Sequence, residues 1–474
     1  MDAHTVLDHF KILTTIPRES GHEGPVTEYL CRWAESHGLA CKTDAIGNVC
    51  ISREASPGKE DVPTLVLQAH QDMVCEKNAG VQHDFAHDPI PYVIRDGWMI
   101  APDTTLGADD GIGIAACLAL LESDRPTGKL ECVFTISEET GMDGAESMQE
   151  GFFTGKVLIN LDSEDEGQLF IGCAGGENTE ACFRYETEQI RDGYTRIELR
   201  VEGGQGGHSG DDINKERANA VRLLASFLKE ELPFGMQIIL LSGGGKSNAI
   251  ARECRCVLAV PDYSATAARF QAYGDKVKAR YAQTEPELCF AAKKNWYNEK
   301  VVAQKVAESL IEALTACPHG VVRMSPDIEG LVQTSTNLAA VRMRERGRII
   351  ISTSQRSSVE TELDEVVQSV SDVFKKAGAQ VRSFNRYPGW KPDLNSHVLA
   401  LSVASYRRLF SQEPEVKAIH AGLECGLFLN KFPGLDMISF GPTLRGVHAP
   451  GERLELASLD KFVLLLDDLV CNYK

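Results

Sequence analysis

The sequence predicts a layered α/β domain interrupted by an α+β insertion, and three observations predict it. Apolar runs of strand length alternate with helical periodicity through residue 184, the texture changes at Tyr185, and the alternation returns after Arg386. The expected boundaries are therefore 1–184 and 387–474 for the two parts of a discontinuous domain, with 185–386 as the inserted unit.

The elements follow in order. Val6, Leu7, Phe10, Ile12 and Leu13, then Val26, Tyr29, Leu30 and Trp33, recur at helical spacing, with Pro17 to Gly24 separating two helices. Asn48–Ile51 and Thr64–Leu67 are short runs rich in β-branched residues and read as strands. A glycine-initiated helix through Ile112 to Leu121 comes next, then strands at Cys132–Ile136 and Val157–Leu161. In the middle stretch, Arg196–Val201 alternates as a half-buried strand does, and helices are expected over 215–230, 261–281 and 301–316. The segment Tyr387-Pro-Gly-Trp-Lys-Pro392 reads as the linker by which the chain re-enters the first domain, followed by a strand at Met437–Phe440 and a last helix.

Composition excludes several classes of function. A net charge of −19 repels phosphate backbones and anionic lipid, so neither nucleic acid nor a membrane surface is an expected partner. The opening Met-Asp-Ala-His has neither the basic start nor the apolar stretch of a secretory signal, and no apolar run approaches a membrane span, so a cytoplasmic protein is expected. The 14 cysteines are scattered without Cys-x-x-Cys pairs, many in apolar surroundings, and read as reduced core residues.

The residues suited to chemistry cluster where strands stop. His70 and Asp72 are two apart in an extended segment and share a face, which suits a metal-bound imidazole and the carboxylate that orients it; a surface strand end is the plainer alternative. Asp109 and Asp110 enter a helix on a glycine-flanked turn. They are either an acid pair complementing the helix dipole or a site where one carboxylate bridges two cations. Glu138 and Glu139 follow the next strand, and such a pair can supply a metal ligand and a base for water. Asp162 ends a further strand, and His448 follows the strand of the resumed α/β pattern. Ligand sites of parallel sheets lie at the carboxyl ends of strands, so folding would gather these groups. The segment Ser242–Ser247 lacks the glycine a phosphate-binding loop requires, because Leu240 stands at that position.

Ala69-His70-Gln-Asp72, Gly107-Ala-Asp109-Asp110-Gly, Ser137-Glu138-Glu139-Thr-Gly, Leu161-Asp162 and Val447-His448-Ala-Pro together resemble the co-catalytic di-zinc peptidase family that includes glutamate carboxypeptidase, peptidase T and the carnosinases. The likeness extends from the N-terminal helices to Glu452 and is strongest to the dipeptidases of that family. It implies a discontinuous catalytic domain, a mixed sheet flanked by helices, with an inserted α+β lid. It also implies metal-dependent hydrolysis of dipeptides, Xaa-His members included, and a homodimer is consistent with it. By resemblance Asp109 bridges two divalent ions, His70 and Asp162 complete one site, Glu139 and His448 complete the other, Glu138 is the general base and Asp72 orients His70. Two imidazoles among three carboxylates favour zinc over magnesium, with manganese or cobalt able to substitute. Two such ions about 3.5–4 Å apart would share a hydroxide that attacks the peptide carbonyl. Three residues of the insertion match the lid positions that hold substrate: His208 toward the scissile carbonyl, Asn248 toward the peptide end and Arg356 toward the terminal carboxylate. Their plainer readings are a helix-capping histidine, a turn asparagine and a solvated arginine. The rival functions are a deacylase of N-acyl amino acids with the same metal chemistry and a non-catalytic peptide-binding protein on the same fold.

Overall fold

Leu65–His70, Leu130–Thr135 and Val157–Asn160 are buried along their whole lengths, as strands covered on both faces must be. In the computed structural model, which describes residues 1–297, 299–344 and 347–474, these strands form the centre of an eight-stranded mixed sheet. Leu130–Thr135, Leu65–His70, Val157–Asn160 and Asp436–Ser439 lie side by side and parallel. Val49–Arg53 joins one side antiparallel and Gln168–Cys173 the other. The pairing His70 with Thr135, Gln68 with Asn160 and Asn160 with Ser439 brings the carboxyl ends of the four central strands to one edge.

Glu131, Gln68 and Asn160, buried inside this sheet, are hydrogen-bonded, as burial requires. The amides of Thr154 and Gly155 and the Thr154 hydroxyl donate to Glu131. Gln68 donates to Thr135 Oγ1 at 3.2 Å and to Glu424 at 2.6 Å, and accepts from Asn160 at 2.6 Å.

Helices cover the sheet. Ala3–Leu13 starts where the Asp2 carboxylate accepts the Thr5 amide, and it buries Val6, Phe10 and Leu13. Ala108–Glu122 is buried from Ala108 to Leu121 on every side, which explains its nearly unbroken run of alanine, isoleucine, leucine and glycine. Each fully buried leucine or isoleucine there contributes about 1.5–3 kcal/mol. Leu456–Asn472 closes the chain.

The chain divides into two units. The first comprises Met1–Gly172, Trp390–Ala418 and Leu423–Lys474; the second comprises Cys173–Gly389 and Ile419–Gly422. The second unit thus begins before the 185 expected from texture. Gly175–Arg184 pairs with both Arg348–Ser357 and Gln380–Tyr387, so it is a strand of the second sheet; its glycine-led start hid the alternation. Re-entry at Trp390 falls within the Pro-Gly-Trp-Lys-Pro segment.

The second unit is a nine-stranded sheet, antiparallel in its described pairings. Ala220–Glu231 and Tyr263–Arg280, capped by the Asn219 and Asp262 side chains, contribute Leu224, Leu228 and Phe270 to one core. Gln304–Ala316 and Glu360–Lys376 add Leu310 and Phe374. The helix expected from 215 begins at Ala220, after its cap. Glu360–Lys376, His397–Phe410 and Glu424–Lys431 are helices beyond those expected from the sequence.

Candidate metal centre

All five expected ligands and both expected catalytic acids lie in the first unit, and the parallel register assembles most of them. His70 is the last residue of its strand, Glu138 lies three residues beyond Thr135, and Asp162 two beyond Asn160. Asp109 comes from the start of the buried helix, after Gly107, whose φ of 69° only glycine adopts readily. The Asp109–Asp110 peptide is cis. His448, with φ of 60°, comes from the loop before Arg453–Glu455.

The Asp109 carboxylate is the hub. His70 Nε2 lies 3.0 Å from its Oδ1 and His448 Nε2 lies 3.1 Å from its Oδ2. Asp162 Oδ1 is 3.6 Å from His70 Nε2, and Glu139 Oε2 is 2.9 Å from His448 Nε2. His70 and Asp72 are fully buried, whereas the His448 side chain is 48% exposed. Among the described residues, two sets of donor atoms, each within 4.8 Å of one another, could hold a cation: His70, Asp110 and Asp162, and His70, Asp109 and Glu139.

Asp72 does more than the sharing of a strand face suggested. His70 Nδ1 is 3.1 Å from the Asp72 main-chain oxygen and 3.3 Å from its Oδ1. The same carboxylate accepts the amides of Glu138 at 3.0 Å and Glu139 at 3.2 Å and the Ser20 hydroxyl at 2.8 Å. One side chain therefore anchors an imidazole and both acids of the Glu138–Glu139 pair. Ser137, just before them, donates its amide and hydroxyl to Glu23.

Burial dominates the electrostatics. It pushes Glu138 and Asp110 up to about 8, reinforced by neighbouring carboxylates, and raises Asp162 well above the carboxylate range. For Asp109 burial acts in the same direction, but hydrogen bonds from His448 and His70 prevail and hold it low. His448 is pushed up to about 11 by its hydrogen bonds to Asp109 and Glu139. Burial opposes charging of His70, yet Asp162, Asp109 and Asp72 raise it well above its usual value. Without added cations, the site needs protons to offset its negative charge. Among the described residues, the buried carboxylate oxygens Glu139 Oε1 and Asp110 Oδ2 find no hydrogen-bond partner. Unpaired buried acceptors beside imidazoles and crowded carboxylates are what a site for divalent cations provides.

The three residues expected to hold substrate lie in the second unit. His208 Nδ1 is 3.1 Å from Asp211 Oδ2, and Ser209 donates its amide to the Asn248 carbonyl at 2.8 Å, so His208 and Asn248 are neighbours. Arg356 is not the solvated arginine of the plainer reading. It is 7% exposed and donates to the Tyr387 hydroxyl at 2.9 Å, and among the described residues its Nε has no partner. His420 stands in the same unit, 2.7 Å from the Ser335 hydroxyl, and burial holds its imidazole down to about 3.

A family model described as peptidase family M20/M25/M40 matches residues 66–472. The chain belongs to that family. It is accordingly a peptidase, and M20 relatives match along nearly all of its length. The cytosol non-specific dipeptidase of Escherichia coli K12 is 38% identical over 469 residues, 98% of this chain and 96% of that protein. The crystal structure of aminoacylhistidine dipeptidase from Vibrio alginolyticus superposes with a TM-score of 0.92 at 36% identity, over 98% of this chain and 96% of that one. Aminopeptidase PepT from Bacillus cereus, at 16% identity and a TM-score of 0.59 over 99% and 98%, shares the fold. The mixed α/β architecture expected from the sequence is thus the M20 peptidase fold. Among the described residues no helix is long and apolar enough to cross a membrane.

Sequence reasoning assigned no role to Glu424, Arg18 or Glu452. Glu424 is fully buried, bonded to Gln68 and Thr135, and pushed up to about 8 by burial. Its only signal was an acid amid small and apolar neighbours, Ala-Gly-Leu-Glu-Cys-Gly.

Proposed function

We propose that this M20 peptidase is a cytosolic dipeptidase whose site holds two divalent cations, zinc foremost, with cobalt or manganese able to substitute. The observation that carries the proposal is the Asp109 carboxylate, each oxygen of which faces a different imidazole. Asp109 would be the shared ligand, His70 and Asp162 would complete one position, and Glu139 and His448 the other. Asp110 also lies near His70 and Asp162. Its Oδ1 accepts the Gly113 amide at 3.0 Å, however, so Asp109 is the better bridging ligand. Bound there, the cations would offset the buried carboxylates, polarise a peptide carbonyl and acidify water.

The chain's own groups supply the rest. Glu138, held by its amide on Asp72, takes the proton of the attacking water and passes it to the departing amine. Asp72 keeps the His70 ring oriented. In the second unit, Arg356 would take the terminal carboxylate, His208 the scissile carbonyl and Asn248 the peptide end. The buried, incompletely paired guanidinium supports the first of these. The names of the Escherichia coli and Vibrio alginolyticus relatives support dipeptides, Xaa-His members included.

The test is metal analysis of the purified protein with a panel of dipeptides, a hexapeptide and N-acyl amino acids. Two ions per chain and rapid cleavage of dipeptides alone are expected. Glu138→Ala should keep both ions yet lose about 10²–10⁴-fold in turnover, whereas Asp109→Ala should lose metal. Near-normal turnover of Glu138→Ala with both ions present would move the base elsewhere.

A further inference from the structure

Arg18 is 2% exposed, a rare place for a guanidinium. It donates to the main-chain oxygens of Gln71 at 3.2 Å, Asp72 at 2.9 Å and Gly107. Glu452, also 2% exposed, approaches the same turn from its amide side. Its Oε2 accepts the amides of Leu106 at 2.7 Å and Gly107 at 3.0 Å, and its Oε1 those of Ala108 at 2.8 Å and Asp109 at 3.5 Å.

The peptide groups leading to Asp109 are therefore gripped by an anion at their N–H groups, and at the Gly107 carbonyl by a cation. The same cation bonds the Asp72 carbonyl, to which His70 Nδ1 also turns. Two glycines make room for it: a Cβ at Gly107 would lie 2.5 Å, and one at Gly111 2.6 Å, from Arg18 Nη2. Burying an arginine and a glutamate costs several kcal/mol each in lost hydration, and such a pair is a poor stability device in itself. What this pair gains is a fixed backbone on the two segments that carry His70 and Asp109.

We propose that Arg18 and Glu452 are positioning residues of the metal centre, a charged clamp on main-chain groups that sets the spacing of Asp109 from His70. The proposal rests on the two-cation reading of the site.

The experiment strips metal with a chelator and measures zinc affinity by competition with a chromophoric chelator. It compares wild type with Glu452→Gln, Arg18→Gln and Arg18→Lys, with far-UV circular dichroism and Tm as controls of folding. Each variant should bind zinc about 10–100-fold more weakly, the range found when groups supporting metal ligands are changed, and each should lose kcat. Arg18→Gln is the discriminating case, because removing a cation beside two zinc ions would tighten binding if charge alone mattered. Zinc binding by Arg18→Gln that is unchanged or tighter overturns the clamp. So does a lowered Tm in all three variants with zinc affinity within threefold of wild type, the result of a merely structural role. If Arg18→Gln fails to fold, Arg18→Lys, which keeps the charge but cannot reach three carbonyls, decides the matter together with Glu452→Gln. A wild-type protein that takes up fewer than two zinc ions would instead refute the reading of the site itself.

Discussion

Replacing Asp72 by asparagine tests how the site is held together, because it keeps the shape of the side chain and removes only its charge and one acceptor. In the wild type Oδ1 faces His70 Nδ1 and the Glu138 amide, while Oδ2 faces the Ser20 hydroxyl and the Glu139 amide. An asparagine must turn its NH₂ toward one of these pairs, so a donor then meets a backbone N–H. Whichever way it turns, Glu138 or Glu139 loses its anchor. His70 is partly spared, since the Asp72 main-chain oxygen at 3.1 Å still accepts from Nδ1. A hydrogen bond to a charged group is worth about 1.5–3 kcal/mol, so kcat/KM should fall about 10–150-fold at 1.36 kcal/mol per tenfold. Metal content should fall less, because the His70 ring keeps an acceptor. The assay is steady-state hydrolysis of a good dipeptide alongside metal analysis. If Asp72→Asn kept kcat/KM within threefold of wild type with both ions bound, the carboxylate would not be the anchor described. If it lost metal as completely as Asp109→Ala, the surviving carbonyl contact would count for little.

Chelation of the wild type should abolish hydrolysis and lower Tm, and zinc should restore both; at a free zinc concentration a hundred times Kd the stabilisation is about 3 kcal/mol, and a Tm indifferent to zinc would argue against a built site. A pH effect should arise in the second unit, where burial holds His319 down to about 4 and its Nδ1 accepts the Leu338 amide at 3.2 Å. Its folded pKa lies below the unfolded value, so the unfolded chain takes up the proton first and stability falls as pH drops from about 6.5 toward 4, by about 2 kcal/mol between pH 7 and 5. His319→Asn, whose carbonyl can replace Nδ1 as acceptor, should lose that much less over the same range in urea titrations. Equal pH slopes for the two proteins would contradict the assignment.

What the sequence disclosed follows a physical division. Strands such as Val157–Asn160 and the helix Ala108–Glu122 were legible because continuous apolar runs report burial on both faces, and the parallel-sheet rule then carried His70, Glu138 and Asp162 to one edge. The segment Gly175–Arg184 was harder to place because glycines at its start blur the alternation.

Arg18 and Glu452 were illegible for a deeper reason. A charged residue in a loop looks like any solvated one, and what distinguishes these two is that they bond main-chain groups 53 to 89 and 343 to 346 positions away. Backbone amides and carbonyls carry no letter in a sequence, so a side chain whose partners are backbone leaves no matching motif to find. The same holds for Asp72, whose spacing announced His70 but not the Glu138 and Glu139 amides. Ligands that meet a common ion can be guessed from their chemistry, because they come from a short set of imidazoles, carboxylates and thiolates. The groups that hold those ligands in place are constrained only by where the folded backbone passes, and this site depends on them for the spacing that its chemistry requires.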